Sequence, residues 1–275
     1  MNSFDFSYYD SLPTQRVGLA RMTRSPVSET PTRPALVFVH GSMQGGWCYS
    51  HWLKEVHVAG IAATAIDVRG HGGLPTDDLI TAGFNEYADD VAAIAQTFET
   101  PPVLVGHSMG GLMVGLAATR TAVSGLVLLT PSPPANLPGA SAVPAVDESH
   151  PVPPASEQTV REKFLPNHTS QNISAMVMRQ CPESAVATND RYLLRAAVDV
   201  EKITCPALCI SAGRDWPITH PPGQDAAVGA FYGARHVHLD EAAHCLMIDV
   251  DWRPGLDCVV SWYNQNFPDP SANQA

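Results

Sequence analysis

The chain has 275 residues, enough for one large α/β domain with a small insertion rather than several independent cores. Hydrophobic residues are 45% and charged ones 16%, which excludes a disordered chain, and the net charge of −11 argues against nucleic acid or an anionic membrane as partner. No stretch approaches the roughly 20 apolar residues that span a bilayer, so no membrane insertion is expected.

Short apolar runs alternate with longer helical patterns, which predicts βαβ units and a parallel sheet covered on both faces. Residues 4–9 and 17–22 read as an antiparallel hairpin at the sheet edge. Residues 35–39 form a buried strand, residues 47–59 a helix that stops at Gly60, and residues 61–66 the next strand. Strands follow at 103–105 and 126–129, separated by a small-residue helix over 110–123. From Pro131 the rhythm breaks, with Pro133, Pro134, Pro138 and Pro144 excluding regular helix or central strand. Helical patterns return at 157–165, 173–180 and 191–200, and strands at 207–211 and 236–239 complete the parallel set. The organisation expected is an α/β core of residues 1–131 and 205–275, with 132–204 inserted as a lid. Lid side chains such as Phe164, Leu165, Ile173, Met176, Met178 and Tyr192 would line an apolar pocket or pack the lid itself.

Six cysteines (Cys48, Cys181, Cys205, Cys209, Cys245, Cys258) include no Cys-x-x-Cys pair and do not make a disulfide framework. The N-terminus shows no basic region followed by an apolar run. Free thiols in a cytoplasmic protein are the expectation.

The chemistry is concentrated after the strand at 103–105, in Gly106-His107-Ser108-Met109-Gly110. Gly-x-Ser-x-Gly between a buried strand and a helix is a nucleophile elbow. Its turn is so tight that side chains at Gly106 or Gly110 would collide with backbone, and the serine is pushed outward at a helix N-terminus. There, free N–H groups and the helix dipole favour developing negative charge. Ser108 is therefore the nucleophile. A second segment, His40-Gly41-Ser42-Met43-Gln44-Gly45-Gly46-Trp47, leaves the strand at 35–39. Acyl transfer needs two backbone donors for the oxyanion, one from the residue after the nucleophile and one from this loop. Those are the amides of Met109 and Ser42, with Met43 adjacent to the second. His40 reads as a hydrogen-bonding residue of the loop.

Together with Ile66-Asp-Val-Arg-Gly-His-Gly72, these segments resemble the successive signatures of the α/β-hydrolase superfamily. The His-Gly-x-x-x-Gly-Gly-Trp loop is similar to the plant methylesterase and hydroxynitrile lyase branch. The Arg-Gly-His-Gly turn departs from that branch and resembles bacterial esterases, perhydrolases and lactonases. The resemblance implies an α/β-hydrolase fold and a triad in the order Ser, Asp, His. It puts the acid at Asp215, just beyond the strand at 207–211, since no carboxylate stands at the alternative position in residues 128–132. It puts the base at His244, in the loop before the last helix, ahead of His236 and His238 on their shared strand face. A His236-x-His238-x-Asp240 metal box is disfavoured because Glu241 stands where that motif has histidine, and His51, His57, His71 and His220 are left as surface or packing residues.

The reaction expected is hydrolysis of a carboxylic ester or lactone of a medium-sized, mostly apolar substrate through an acyl-enzyme, with no cofactor and no metal. Thioesterase, C–C hydrolase, perhydrolase and acyl-transfer or cyclising chemistry use the same constellation, and a non-enzymatic receptor is the remaining class. Hydroxynitrile lyase activity needs a cation near the leaving group, and residues 236–247 contain no lysine.

Overall fold

The computed structural model describes residues 4–26 and 33–269. Eight strands, β1 (Thr14–Val17), β2 (Ala20–Arg24), β3 (Leu36–Val39), β4 (Ala63–Asp67), β5 (Val103–His107), β6 (Gly125–Leu129), β7 (Ala207–Ala212) and β8 (Arg235–Leu239), form one sheet in the order β1-β2-β4-β3-β5-β6-β7-β8. β1 and β2 pair antiparallel, β2 joins β4 antiparallel, and the other pairings are parallel. The helices are α1 (Ser7–Asp10), α2 (Ser50–Val58), α3 (Phe84–Ala95), α4 (Met109–Ala118), α5 (Glu157–Thr159), α6 (Ser170–Val177), α7 (Ala185–Tyr192), α8 (Gln224–Phe231) and α9 (Arg253–Asn266).

Alternation along β3 divides the core. Leu36 and Phe38 face Trp52 of α2 and Trp262 of α9, whereas Val37 and Val39 face Tyr87 of α3 and Val114 of α4. A strand buried on both faces must read as a continuous apolar run, which is why the central strands were legible from sequence.

Three expectations are corrected. Residues 4–9 are not a strand: the Asp5 side chain accepts from the Ser7 amide at 3.0 Å and turns the chain into α1. Phe6 then packs edge-on against Trp47, and the edge hairpin is β1–β2 instead. The helix expected over 110–123 stops at Ala118, where the Thr119 hydroxyl turns back onto the Leu116 carbonyl. The helix expected over 191–200 lies earlier, at Ala185–Tyr192. Ser184 caps its start by accepting from the Ala187 amide, and Leu194, with φ 53°, lies beyond its end.

Between β6 and β7 the chain carries α5, α6 and α7. A bridge within this excursion pairs Val152 with Glu183, on either side of α5 and α6, and the Cys181 amide donates to the Met43 carbonyl at 3.1 Å.

Candidate active site

Ser108 sits between β5 and α4 with φ 52° and ψ −117°, a conformation that costs a non-glycine residue roughly 1–3 kcal/mol. Three backbone hydrogen bonds hold it there: its amide donates to Leu129 O at 2.9 Å, and its carbonyl accepts from Gly111 at 2.9 Å and Ser132 at 3.0 Å. A Cβ on Gly106 would strike the Gly110 carbonyl, and one on Gly110 would lie 2.5 Å from the carbonyl oxygens of Val39 and His40. The elbow thus wedges against β3 with backbone on both sides.

Asp215 and His244 come from the loops beyond β7 and β8 and meet at 2.7 Å, His244 Nδ1 to Asp215 Oδ2. The Trp216 amide donates to the other carboxylate oxygen at 2.7 Å. Burial would raise the Asp215 carboxyl, but the His244 charge and hydrogen bond, helped by His220, bring it below the usual carboxylate value. The His244 carbonyl accepts from His107 Nε2 and from the Thr130 hydroxyl, both at 3.0 Å. Burial, aided by the neighbouring His244, holds the His107 imidazole well below its ordinary pKa, so this contact is made by a neutral ring that carries its proton on Nε2. With Nδ1 committed to Asp215, Nε2 is the His244 nitrogen left for Ser108, and both residues line one cavity of about 210 Å³.

The loop after β3 lines the same cavity through Ser42, Met43 and Gln44. Met43 has φ 61°, and both of its backbone polar groups are taken up by the β6–β7 excursion: its amide donates to Glu183 Oε2 at 3.1 Å, and its carbonyl accepts from Cys181. The amides of Ser42 and Met109 have no acceptor among the described residues. His40 keeps its Nδ1 on the Gly41 carbonyl at 2.8 Å and accepts from the Val68 amide at Nε2. Burial, reinforced by the charge of His71, pushes its pKa down to about 3, so it is a neutral brace of the loop.

Two histidines set aside as surface or packing residues have polar partners here. His71 is fully buried and places Nε2 3.2 Å from Glu183 Oε2. His220 lies 3.8 Å from Asp215 Oδ2 and 3.1 Å from Asp225 Oδ1, with its ring 4.7 Å from that of His244. His236 and His238 turn instead to the Ser211 hydroxyl, at 2.9 and 2.8 Å. Asp215, His220 and His244 offer potential metal-ligand atoms within 4.8 Å of one another, and the Nδ1 atoms of the two histidines lie against carboxylates, His220 against Asp225 and His244 against Asp215. Sequence reading missed Glu183, Tyr87 and His220, because no local motif marks a residue whose partner lies far along the chain.

The lining of the cavity is mixed. Of the lid side chains for which the sequence left lining and packing both open, Phe164, Met176 and Tyr192 line the cavity, whereas Leu165 and Ile173 are sealed in the core and Met178 is 80% exposed. Lys163 and Arg191 join the lining, and no aspartate or glutamate does.

A model of the alpha/beta hydrolase family matches residues 36–254. The chain belongs to that family. Its resemblance to the rice esterase PIR7B (Oryza sativa subsp. japonica) is 41% identity over 88 residues, which is 30% of this chain and 32% of that protein. The chain therefore matches about a third of the length of its curated relatives. Among solved structures it is similar to the Arabidopsis methylesterase MES16, with TM-score 0.67 and 20% identity over 83% of this chain and 99% of that one. It is also similar to the monoacylglycerol lipase of Paleococcus ferrophilus, with TM-score 0.70 and 19% identity over 89% and 99%. At these identities the structural likenesses establish the alpha/beta hydrolase fold. No described helix is long and apolar enough to cross a membrane.

Proposed function

We propose that this alpha/beta hydrolase cleaves a carboxylic ester or lactone through an acyl-enzyme. The observation that carries the reading is the 2.7 Å His244–Asp215 contact beside a strained Ser108 in one cavity. Ser108 Oγ attacks the carbonyl carbon as its proton passes to His244 Nε2. Asp215 holds the ring in the tautomer with Nδ1 protonated and stabilises the imidazolium. The amides of Ser42 and Met109 receive the oxyanion, and collapse expels an alkoxide that takes the proton from His244. A water, deprotonated by His244, then attacks the acyl-enzyme and releases the acid and Ser108.

Residues 132–204 serve as the lid in this reading, because their Phe164, Met176 and Arg191 line the cavity that holds Ser108. A cavity of about 210 Å³ suits a medium-sized acyl group. The names of the rice esterase and of an Arabidopsis methylesterase 35% identical over 77 residues support ester cleavage. Six free thiols agree with a cytoplasmic home. The test is a fluorophosphonate probe on the intact protein. Labelling that disappears in Ser108→Ala supports the reading, and a wild type that takes no label refutes it.

A further inference from the structure

The cavity above Ser108 contains two cationic side chains, Lys163 and Arg191, and, among the described residues, no carboxylate. Arg191, at the end of α7, donates from Nη1 to the Ser132 hydroxyl at 3.3 Å, and its guanidinium lies 4.7 Å from the Tyr192 ring. Ser132 in turn donates its amide to the Ser108 carbonyl at 3.0 Å, so the guanidinium stands two hydrogen bonds from the proposed nucleophile's own backbone. Lys163, in the helical turn Val160–Phe164, holds Nζ 3.9 Å from the Trp216 ring, beside Asp215 in the chain.

Neither cation has a carboxylate partner among the described residues. The acids next to them in sequence are used elsewhere: Asp190 accepts from the Phe84 amide at 3.1 Å, and Glu162 accepts from Gln158 at 2.9 Å. In a chain of net charge −11, two half-buried cations facing an acid-free cavity are counter to the general field of the molecule. A guanidinium with donors to spare, resting on an aromatic ring, is preorganised for planar two-point recognition of a carboxylate.

We propose that the cavity selects esters that carry a second, free carboxylate, with Arg191 as its anchor and Lys163 as the supporting cation. This rests on the hydrolase reading above and replaces a mostly apolar substrate by an anionic one with a short apolar spacer, for which Phe164 and Met176 supply the walls. No new bond chemistry is involved; the carboxylate is bound and not transformed.

The test compares mono-p-nitrophenyl glutarate with a neutral isostere in which an isopropyl group replaces the carboxylate, each corrected for spontaneous hydrolysis. The wild type is expected to favour the anionic ester in kcat/KM by about tenfold or more, the scale of a charge-assisted hydrogen bond. Arg191→Gln should lower that ratio by about tenfold, and Lys163→Gln by a smaller factor. Because the ratio is internal to each variant, loss of folded protein does not imitate the effect. A wild-type ratio at or below one, or a ratio unmoved in both variants, overturns the proposal while the hydrolase reading stands. Failure to cleave either ester, with no fluorophosphonate label on Ser108, overturns both.

Discussion

The Glu183 carboxylate accepts the Met43 amide at 3.1 Å, joining two residues 140 positions apart. The same carboxylate accepts from Tyr87 at 2.8 Å and faces His71 at 3.2 Å, all within the interior. One buried acid therefore holds the loop after β3 in its left-handed turn at Met43, beside a Ser42 amide that has no acceptor among the described residues.

Replacing this acid should separate positioning from charge. Glu183→Ala leaves His71 Nε2 and the Tyr87 hydroxyl unpartnered, although His71 Nδ1 keeps the Arg69 carbonyl, a loss of roughly 3–5 kcal/mol in stability. Below the melting transition, kcat is expected to fall about ten- to a hundredfold, with KM changed little, because a displaced oxyanion donor acts in the transition state. Glu183→Gln retains an acceptor for Met43 and should recover most of the kcat but not all of the stability. Equal kcat in Ala and Gln variants would contradict the positioning role.

The same pair sets a stability window. Burial alone would raise the Glu183 carboxyl, but the His71 charge, with hydrogen bonds from His71, Tyr87 and Ser184, brings it down to about 2. Burial alone would lower the His71 imidazole, but the Glu183 charge and hydrogen bond raise it above its ordinary value of 6.5. The depressed acid contributes stability that is full above its ordinary value of 4.5 and is lost as pH falls towards 2. The raised histidine contributes stability that is full below 6.5 and is lost as pH climbs through its folded value. Denaturation midpoints should therefore be highest near pH 4.5–6.5, and Glu183→Gln should flatten the fall on both sides relative to wild type.

Asp215→Asn tests the orienting acid. The amide can still meet His244 Nδ1 but favours the wrong tautomer, so kcat should fall by about three to four orders of magnitude while the protein remains folded. Single-turnover kinetics with an activated ester would show the loss in acylation. A loss under tenfold would remove Asp215 from the proposed triad.

Gly110→Ala tests the wedge beneath the elbow. Its Cβ would meet the Val39 and His40 carbonyl oxygens at 2.5 Å, and since both are backbone, β3 or α4 must shift. A cost of roughly 1–3 kcal/mol and near-complete loss of fluorophosphonate labelling are expected. Full labelling at wild-type stability would show that the elbow has room the structure does not display.

Fold and elbow were legible because their causes are local. A doubly covered strand must be an apolar run, and a tight strand-to-helix turn must have small residues where Gly106 and Gly110 stand. Asp215 and His244 were found through resemblance, each in a loop just beyond a strand end. Short-range polar choices were misread where one side chain redirects the backbone, as Asp5 does before α1 and Ser184 does before α7.

Local pattern was enough to specify the parallel sheet and the elbow at Ser108, and resemblance added Asp215 and His244 as candidate partners for it. That Glu183 braces Met43 and His71, that His220 adjoins Asp215 and that Lys163 and Arg191 line the cavity became visible with the packed fold. The difference lies in the reach of the interactions. A turn is dictated by its own residues, whereas a buried charge is explained only by partners that packing brings to it from distant parts of the chain.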